Sequence, residues 1–142
     1  MNELHQDTKE ELLDRIKKSN GVITPRSYFV QVPNSFMRNP NLTMQEKSMY
    51  IYLWGFGGEN MNAYPSQARM IKELGISRPT IYKILKSLED KGGLYILNRK
   101  YKNEEKTTNL YYLCAINNND GCFIKDYLNI VKDLYPDKIL YI

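Results

Sequence analysis

The sequence predicts an α+β fold in which a three-helix core precedes a β-hairpin, with further helices at the two ends of the chain. Two segments, 64–74 and 77–91, carry apolar residues at helical spacing and are separated by a glycine. Two runs of strand-forming residues follow at 94–100 and 108–115, on either side of a polar stretch. A length of 142 residues, with 42% hydrophobic and 25% charged side chains, suits one domain with additional arms.

The segment from Tyr64 to Lys91 predicts two short helices joined by a tight turn. Pro65 suits a first helical position, because the N–H that proline lacks would have no partner there. Gly75 can take the positive φ that often ends a helix, and Ser77 is a favourable N-cap for the second helix. Helical spacing predicts apolar faces formed by Ala68, Met70, Ile71 and Leu74 in the first helix and by Ile81, Ile84, Leu85 and Leu88 in the second.

The opposite face of the second helix is polar and carries side chains that can reach phosphates or base edges: Arg78, Thr80, Tyr82, Lys83, Lys86 and Ser87. A solvated outer face on an ordinary helical hairpin would have a similar composition. The distribution of charge favours a nucleic-acid-binding surface. Residues 66–107 contain ten Lys/Arg and five Asp/Glu, whereas the rest of this chain of net charge +4 is slightly acidic.

This stretch resembles the helix-turn-helix of DNA-binding proteins in its winged form. The resemblance rests on the glycine in the turn, Ile76 after it, the Ser77-Arg78-x-Thr80 start of the second helix, and Ile81 six residues past the glycine. One departure is Ile71, where many such motifs have alanine. The hairpin predicted after the second helix, with a polar loop at 101–107, completes the winged-helix order. In that order the hairpin is the wing.

Residues 28–96 more specifically resemble the helix-turn-helix domain at the front of replication initiators of Gram-positive plasmids and phages, and of related small regulators. The diagnostic parts are Val32-Pro33-Asn34, Thr43-x-x-Glu46-Lys47, Tyr64-Pro65-Ser66 and Leu74-Gly75-Ile76-Ser77-Arg78. The resemblance implies a sequence-specific DNA-binding protein of a plasmid, phage or mobile element, acting as transcriptional regulator or replication initiator. The alternatives are a winged-helix module that binds proteins, with the tyrosines of the wing as contact surface, and an accessory factor in conjugation or partition. The wing tyrosines are Tyr95, Tyr101, Tyr111 and Tyr112.

We divide the chain into an N-terminal helical arm (1–27), a winged helix-turn-helix domain (28–116) and a C-terminal helix (117–142). Within the domain we expect a strand at 28–32, and a first core helix from Thr43 to Trp54. The Thr43/Glu46 capping box starts that helix, and the glycines from Gly55 stop it.

In the C-terminal part, apolar residues at helical spacing predict a helix that either packs on the N-terminal helix or forms a dimer interface. These residues are Phe123, Tyr127, Ile130, Val131 and Leu134. The final residues, 138–142, are strand-like and either dock on the sheet or engage a partner.

We expect the helix that starts at Ser77 to enter a major groove of double-stranded DNA with its N-terminal end leading. Arg78 is the first candidate for base contact, since arginine pairs bidentately with guanine. Thr80 and Lys83 would read neighbouring bases or phosphates, and Tyr82 would pack on a sugar or a thymine methyl. The full predicted set, backbone contacts included, is Ser66, Gln67, Ser77, Arg78, Thr80, Tyr82, Lys83, Lys86, Arg99, Lys100 and Lys102. A domain this small makes few contacts, so we expect a homodimer on a repeated or palindromic site.

Several classes of function find no support in the sequence. The two cysteines, Cys114 and Cys122, have no cysteine or histidine at metal-ligand spacing, so we expect no metal and no disulfide. The single histidine, His5, lies near the N-terminus, and no nucleophile–base spacing indicates an enzyme. A polar N-terminus without an apolar run of membrane-spanning length predicts a cytoplasmic protein that does not span a membrane. We also expect no cofactor, since none is evident from the sequence.

Overall fold

The computed structural model of the protein describes residues 10, 11, 14, 30–57 and 61–142. The chain divides into two units, Met1–Gln31 and Val32–Ile142. In the first unit, Glu10, Glu11 and Asp14 are helical, and the rest of the predicted N-terminal helix lies outside the described residues. The predicted DNA-binding residues all belong to the second unit.

The second unit combines helices with one mixed sheet in its described residues. The helices are α1 (Asn34–Met37), α2 (Met44–Gly57), α3 (Gln67–Leu74), α4 (Arg78–Asp90) and α5 (Asn129–Leu134). The strands are β1 (Asn62–Ala63), β2 (Leu94–Lys100), β3 (Leu110–Leu113) and β4 (Ile139–Tyr141). The sheet order is β1-β3-β2-β4, with β4 parallel to β2 and the other two pairs antiparallel. This is an α+β architecture, as the sequence predicts.

The capping box at the start of α2 forms as predicted. The Glu46 N–H donates to Thr43 Oγ1 at 3.1 Å, and the Thr43 N–H donates to Glu46 Oε1 at 2.7 Å. The predicted end of the helix is wrong, because α2 continues through Gly55 to Gly57. A Cβ at Gly57 would overlap the carbonyl oxygen of Asn62, so the close approach of β1 requires glycine there.

The carboxylate of Glu46 joins α2 to α4 inside the protein. Its side chain is 3% exposed and accepts hydrogen bonds from Ser87 Oγ at 2.5 Å and from Lys91 Nζ at 2.7 Å. Burial raises the pKa of Glu46, but the donors from Lys91, Ser87 and Thr43 outweigh that effect and lower the pKa to about 2. Charged hydrogen bonds therefore hold the C-terminal half of α4 against the first turn of α2.

The third strand of the sheet is not where the sequence placed it. Val30 to Val32 have no strand structure, and the first two residues of the predicted strand lie outside the described residues. Asn62 and Ala63 pair with β3 instead, opposite Tyr112 and Tyr111. Two residues between a helix and a proline-containing turn give too short a pattern for strand periodicity to reveal.

The C-terminal helix is much shorter than the apolar spacing predicts. Phe123 forms a β-bridge with Ile116, and only Asn129–Leu134 are helical. The Phe123 ring lies 5.4 Å from that of Tyr50 and 6.2 Å from that of Phe36, centroid to centroid, so core packing fixes an extended backbone there. The final residues dock on the sheet as β4, which selects one of the two expectations for them.

We predict that Glu46→Gln lowers the free energy of unfolding by about 2–3 kcal/mol at neutral pH, because a buried charged acceptor with three donors is lost. The folded pKa of Glu46, about 2, lies below its ordinary value of 4.5, so this stabilisation is full above 4.5 and disappears as pH falls towards 2. Urea unfolding at neutral and acidic pH measures both effects.

The matched control is Glu105→Gln, at an exposed carboxylate in the loop after β2. It should leave the unfolding midpoint unchanged at both pH values. Equal midpoints for the protein and Glu46→Gln at neutral pH would contradict the clamping role of Glu46.

The two glycines in the last turn of α2 should respond in opposite directions to alanine. Gly55→Ala meets no atom within 4 Å and should stabilise the protein by about 0.5–1 kcal/mol, since alanine is the better helix former. Gly57→Ala should destabilise it by about 1–3 kcal/mol, because the new Cβ would collide with the backbone of Asn62. Thermal unfolding of the pair measures the difference, and two changes of the same sign would refute the α2–β1 contact.

Candidate nucleic-acid interface

Caps and a left-handed glycine set the ends of α3 and α4. Ser66, not Pro65, is the N-cap of α3, and its hydroxyl accepts from the Arg69 N–H at 3.1 Å. The prediction that Pro65 is the first helical residue is therefore wrong by two positions. Gly75 has φ of 69° and donates its N–H to the Ile71 carbonyl, and Ser77 caps α4, both as predicted.

One face of α4 is buried and the other is open. The predicted apolar set is buried throughout, with exposed fractions of 7% or less: Ile81, Ile84, Leu85 and Leu88. In α3, Met70 is buried and Ile71 and Leu74 are half-buried, but Ala68 is exposed, contrary to its predicted place in the apolar face. The packing of α4 thus leaves the N-terminal part of its polar face open to solvent.

Arg78, Tyr82 and Lys83 form the open face at the N-terminal end of α4. All three are exposed, and Tyr82 is 63% exposed. Within residues 30–57 and 61–142 none of these three side chains makes a hydrogen bond or an ion pair. We call these three residues the α4 face.

Ser77 and Thr80 are occupied with each other beside the α4 face. Their hydroxyl oxygens are 2.9 Å apart, and the Thr80 N–H also points to Ser77 Oγ at 3.4 Å. Each hydroxyl keeps acceptor capacity, because a hydroxyl has two lone pairs and one proton. Thr80 is half-buried, so its reach to a ligand is shorter than that of Arg78.

Polar side chains in the C-terminal half of the same helix are engaged in interactions within the protein. Lys86 Nζ pairs with Glu89 at 3.2 Å and with Asp90 at 3.6 Å, and its pKa is raised, chiefly by the Glu89 hydrogen bond. Ser87 donates to Glu46, which corrects its prediction as part of the outer face. Among the predicted DNA contacts on α4, Arg78, Tyr82 and Lys83 have exposed, unpaired side chains. Lys86 would have to break its ion pairs before it could bind a phosphate.

At the start of α3, the hydroxyl of Ser66 already serves as a cap, and Gln67 is half-buried in the first turn. Lys72, in the last turn of α3, is exposed and has no ion pair within the described residues. Lys72 is absent from the predicted set of DNA contacts. The helical repeat places Lys72 on the side of α3 away from Met70, and this position could have identified it as an exposed basic residue available for a DNA contact.

Some basic side chains of the hairpin make contacts within the protein, and others are exposed to solvent. Arg99 Nε donates to the Thr108 carbonyl at 2.8 Å, its guanidinium stacks 4.6 Å above the Tyr64 ring, and it is half-buried. Lys100 pairs with Glu104 at 3.5 Å. Lys102 and Lys106 are exposed, without an ion pair in the parts of the chain that the structure describes.

Lys86 and Lys100 are in ion pairs, and the other four predicted basic residues lie in three positions. The first is the α4 face, and the second is the loop at 101–107, where Lys102 lies beside Glu104 and Glu105. The third is the stack of Arg99 on Tyr64, which joins the hairpin to the segment just before α3. Arg99 holds these elements together, so its guanidinium is only partly available for DNA.

Other kinds of site find little support among the described residues. They contain no group of three or more His, Cys, Asp and Glu side chains that could hold a metal ion, and none of their helices is long and apolar enough to cross a membrane. Cys114 is buried, and burial raises its thiol pKa to about 11, so the thiolate that nucleophilic chemistry needs is scarce at neutral pH. His5 lies outside the described residues.

Comparison with known proteins adds a family match for part of the chain. Residues 41–94 match a family described as "Helix-turn-helix domain". The match begins just before α2 and ends at the first residue of β2, so it covers all three core helices. No curated protein and no solved structure matches the chain. The match supports a helix-turn-helix DNA-binding domain.

Proposed function

We propose that the protein binds double-stranded DNA in a sequence-specific manner, with α4 in the major groove and the hairpin acting as the wing of a winged helix. The observation that carries this proposal is the α4 face. Arg78, Tyr82 and Lys83 stand exposed beside the N-terminus of a helix whose opposite side is fully packed. A rigid helix that presents unpaired polar side chains at its leading end is what major-groove recognition requires.

The two exposed basic regions, the α4 face and the loop at 101–107, would make different kinds of contact with DNA. Arg78 can donate two parallel hydrogen bonds to guanine, so it would specify a base. Lys102 and Lys106 carry point charges on a loop, and such contacts position a protein on the phosphate backbone without reading sequence. Lys72 on α3 adds a phosphate contact of the same kind.

The biological role that we propose is transcriptional regulation or replication initiation on a plasmid, phage or other mobile element. The resemblance of residues 28–96 to the domains of replication initiators and small regulators supports it, and the cytoplasm is the compartment that this role requires. An accessory role in conjugation or partition would use the same DNA-binding surface.

A protein-binding module is the second candidate, and the structure weakens the surface on which it rested. Of the four wing tyrosines, Tyr95 and Tyr111 are buried and Tyr112 is half-buried. Only Tyr101, 45% exposed, is free to meet a partner. Strand tyrosines that fill the core explain the composition of the hairpin.

Arg78→Ala should weaken binding to the preferred DNA site by about 1–3 kcal/mol and relax discrimination at the base it contacts. The preferred site would first be selected from a random pool of duplexes, and affinity for matched and single-mismatch duplexes would then be measured by fluorescence anisotropy. Arg38→Ala, which removes an exposed arginine at the end of α1, is the control and should change neither quantity. Unchanged affinity and preference in Arg78→Ala would exclude the proposed docking.

Lys102→Ala should weaken binding to all duplexes alike and lower the slope of log K against log salt by about 1, since one phosphate contact is lost. Lys125→Ala, at an exposed lysine between Phe123 and α5, is the control. A loss that depends on duplex sequence would mean that Lys102 contacts bases. No binding by the unmodified protein at low salt would favour the protein-binding module.

We further propose that the protein acts as a homodimer. What supports this is the exposed apolar side of α5, where Ile130 is 73% and Leu134 67% exposed, with Tyr127 at 44% just before it. Two copies would place two α4 helices on half-sites about one helical turn, ~10 base pairs, apart.

Light scattering should then give twice the mass of one chain, and Leu134→Glu should halve it, because a charge cannot be buried in an apolar interface without large cost. Asn129→Glu adds the same charge at an exposed polar position of the same helix and should leave the dimer intact. A single-chain mass for the unmodified protein at micromolar concentration would refute the dimer.

A further inference from the structure

Strand β2 changes its main partner halfway along its length. Residues 94–97 pair antiparallel with β3, from Leu94 opposite Leu113 to Leu97 opposite Leu110. Residues 98–100 pair in parallel with β4, and Lys100 lies opposite Tyr141. Towards the start of β3 this second half keeps one backbone hydrogen bond, from the Thr107 N–H to the Arg99 carbonyl at 3.1 Å, one bridge, and the bond from Arg99 Nε to the Thr108 carbonyl at 2.8 Å. Along residues 98–100 the continuous strand partner of β2 is therefore β4.

The end of β4 also reaches the loop itself. The Tyr141 hydroxyl donates to the Glu104 carboxylate at 2.9 Å from Oε1, and the Ile142 N–H donates to the Lys100 carbonyl at 2.9 Å. Lys100 Nζ approaches the other oxygen of Glu104 at 3.5 Å. The Tyr141 hydroxyl and the Lys100 ammonium therefore anchor the same loop carboxylate.

Lys138, the residue just before β4, is attached to α4. Lys138 Nζ donates to Glu89 Oε1 at 2.5 Å, and the Lys138 carbonyl accepts from the Asn98 N–H at 2.8 Å. The other oxygen of Glu89 accepts from the Ile96 N–H at 2.7 Å. Burial raises the pKa of Glu89, but these donors and Lys86 outweigh it and lower the pKa, so the carboxylate stays charged. A continuous set of bonds thus runs from α4 through β4 to the loop.

We propose that β4 is a brace that positions the hairpin loop for DNA, with Tyr141 and Ile142 as its positioning residues. The brace holds Lys102 at a fixed place relative to α4, so that Lys102 meets a phosphate while Arg78 meets a base. It also keeps Glu104 bound to Tyr141 and Lys100, which reduces the repulsion between this carboxylate and the phosphates. The inference rests on the proposed DNA binding of α4 and the hairpin, and it assigns a function to a segment outside the helix-turn-helix.

The test uses Tyr141→Phe combined with Ile142→Pro in the full chain. The first change removes the hydroxyl that holds Glu104, and the second removes the N–H that donates to Lys100. Both side chains are about half exposed, so the core keeps its packing. Tyr135→Phe removes the hydroxyl of a half-buried tyrosine in the C-terminal segment, keeps the backbone carbonyl that accepts from Tyr95, and is the control.

Affinity for the selected duplex would be measured across a range of salt for the brace variant, for Lys102→Ala and for their combination. We expect the brace variant to lose roughly three- to tenfold in affinity and about 1 in salt slope, as Lys102→Ala does. We also expect Lys102→Ala to cost nothing further in the brace variant, because a displaced lysine has no contact left to lose. Hydrogen exchange of the Tyr101 and Glu104 amides should accelerate in the brace variant, with α4 unchanged.

Each other outcome overturns a definite statement. If the brace variant binds like the unmodified protein and Lys102→Ala retains its full effect there, β4 does not position the loop. If Arg78→Ala weakens binding but Lys102→Ala does not, the loop makes no contact through Lys102, and the brace proposal is wrong while DNA binding by α4 stands. If the unmodified protein binds no DNA, the proposed function fails first.

Discussion

The buried carboxylate of Glu46 is the constraint on which the arrangement of the helices depends. One oxygen completes the cap of α2, and the same carboxylate takes hydrogen bonds from Ser87 in the last turn of α4 and from Lys91 at its C-cap. A carboxylate this deeply buried is stable only while its donors remain in place, because desolvation otherwise opposes its charge. These bonds therefore oppose any shift of α4 that would carry Ser87 and Lys91 away from Glu46, and they add to the apolar packing between α4 and α2.

That orientation decides which side of α4 faces outward. With Leu88 and Ile84 packed inward and Ser87 turned towards Glu46, the side that remains open is the one with Arg78, Tyr82 and Lys83. Electrostatics then divides the basic residues of the segment 66–107 into two groups. Arg69, Lys86, Lys91 and Lys100 take part in ion pairs, and Arg99 in stacking and hydrogen bonds. The basic residues that remain outside these interactions lie on α3, at the start of α4 and in the loop: Lys72, Arg78, Lys83, Lys102 and Lys106.

The sheet connects segments that are distant in sequence. Strand β2 pairs with β3 in its first half and with β4 in its second, and Glu89 of α4 bonds both to β2 and to Lys138 before β4. The C-terminal residues are therefore part of the structure that carries the hairpin. A compact helix-turn-helix unit does not by itself contain this connection, and the family match ends at the first residue of β2.

Local chemistry was enough to predict much of the fold and of the candidate site. The capping box, the left-handed Gly75, the Ser77 cap and the extent of β2 all depend on residues within about one helical turn or one strand, and they appear where expected. The exposed side of α4 follows from the same helical repeat, because the buried side of an amphipathic helix determines its open side. Short-range periodicity therefore sufficed for the order of the core helices and the hairpin, and for the exposed positions of Arg78, Tyr82 and Lys83, but not for Ser87, which turns to Glu46.

Five other features depend instead on the tertiary structure. They are the end of α2, the position of β1, the pairing of β4, the shortness of α5 and the ion pairs of the basic residues. Gly57 allows a backbone approach that a Cβ would block, and Phe123 is held by Tyr50 and Phe36. Glu46 meets Lys91 across 45 residues. The cause is the same in each case: packing and desolvation act between groups that the folded chain brings together, and no local pattern records them.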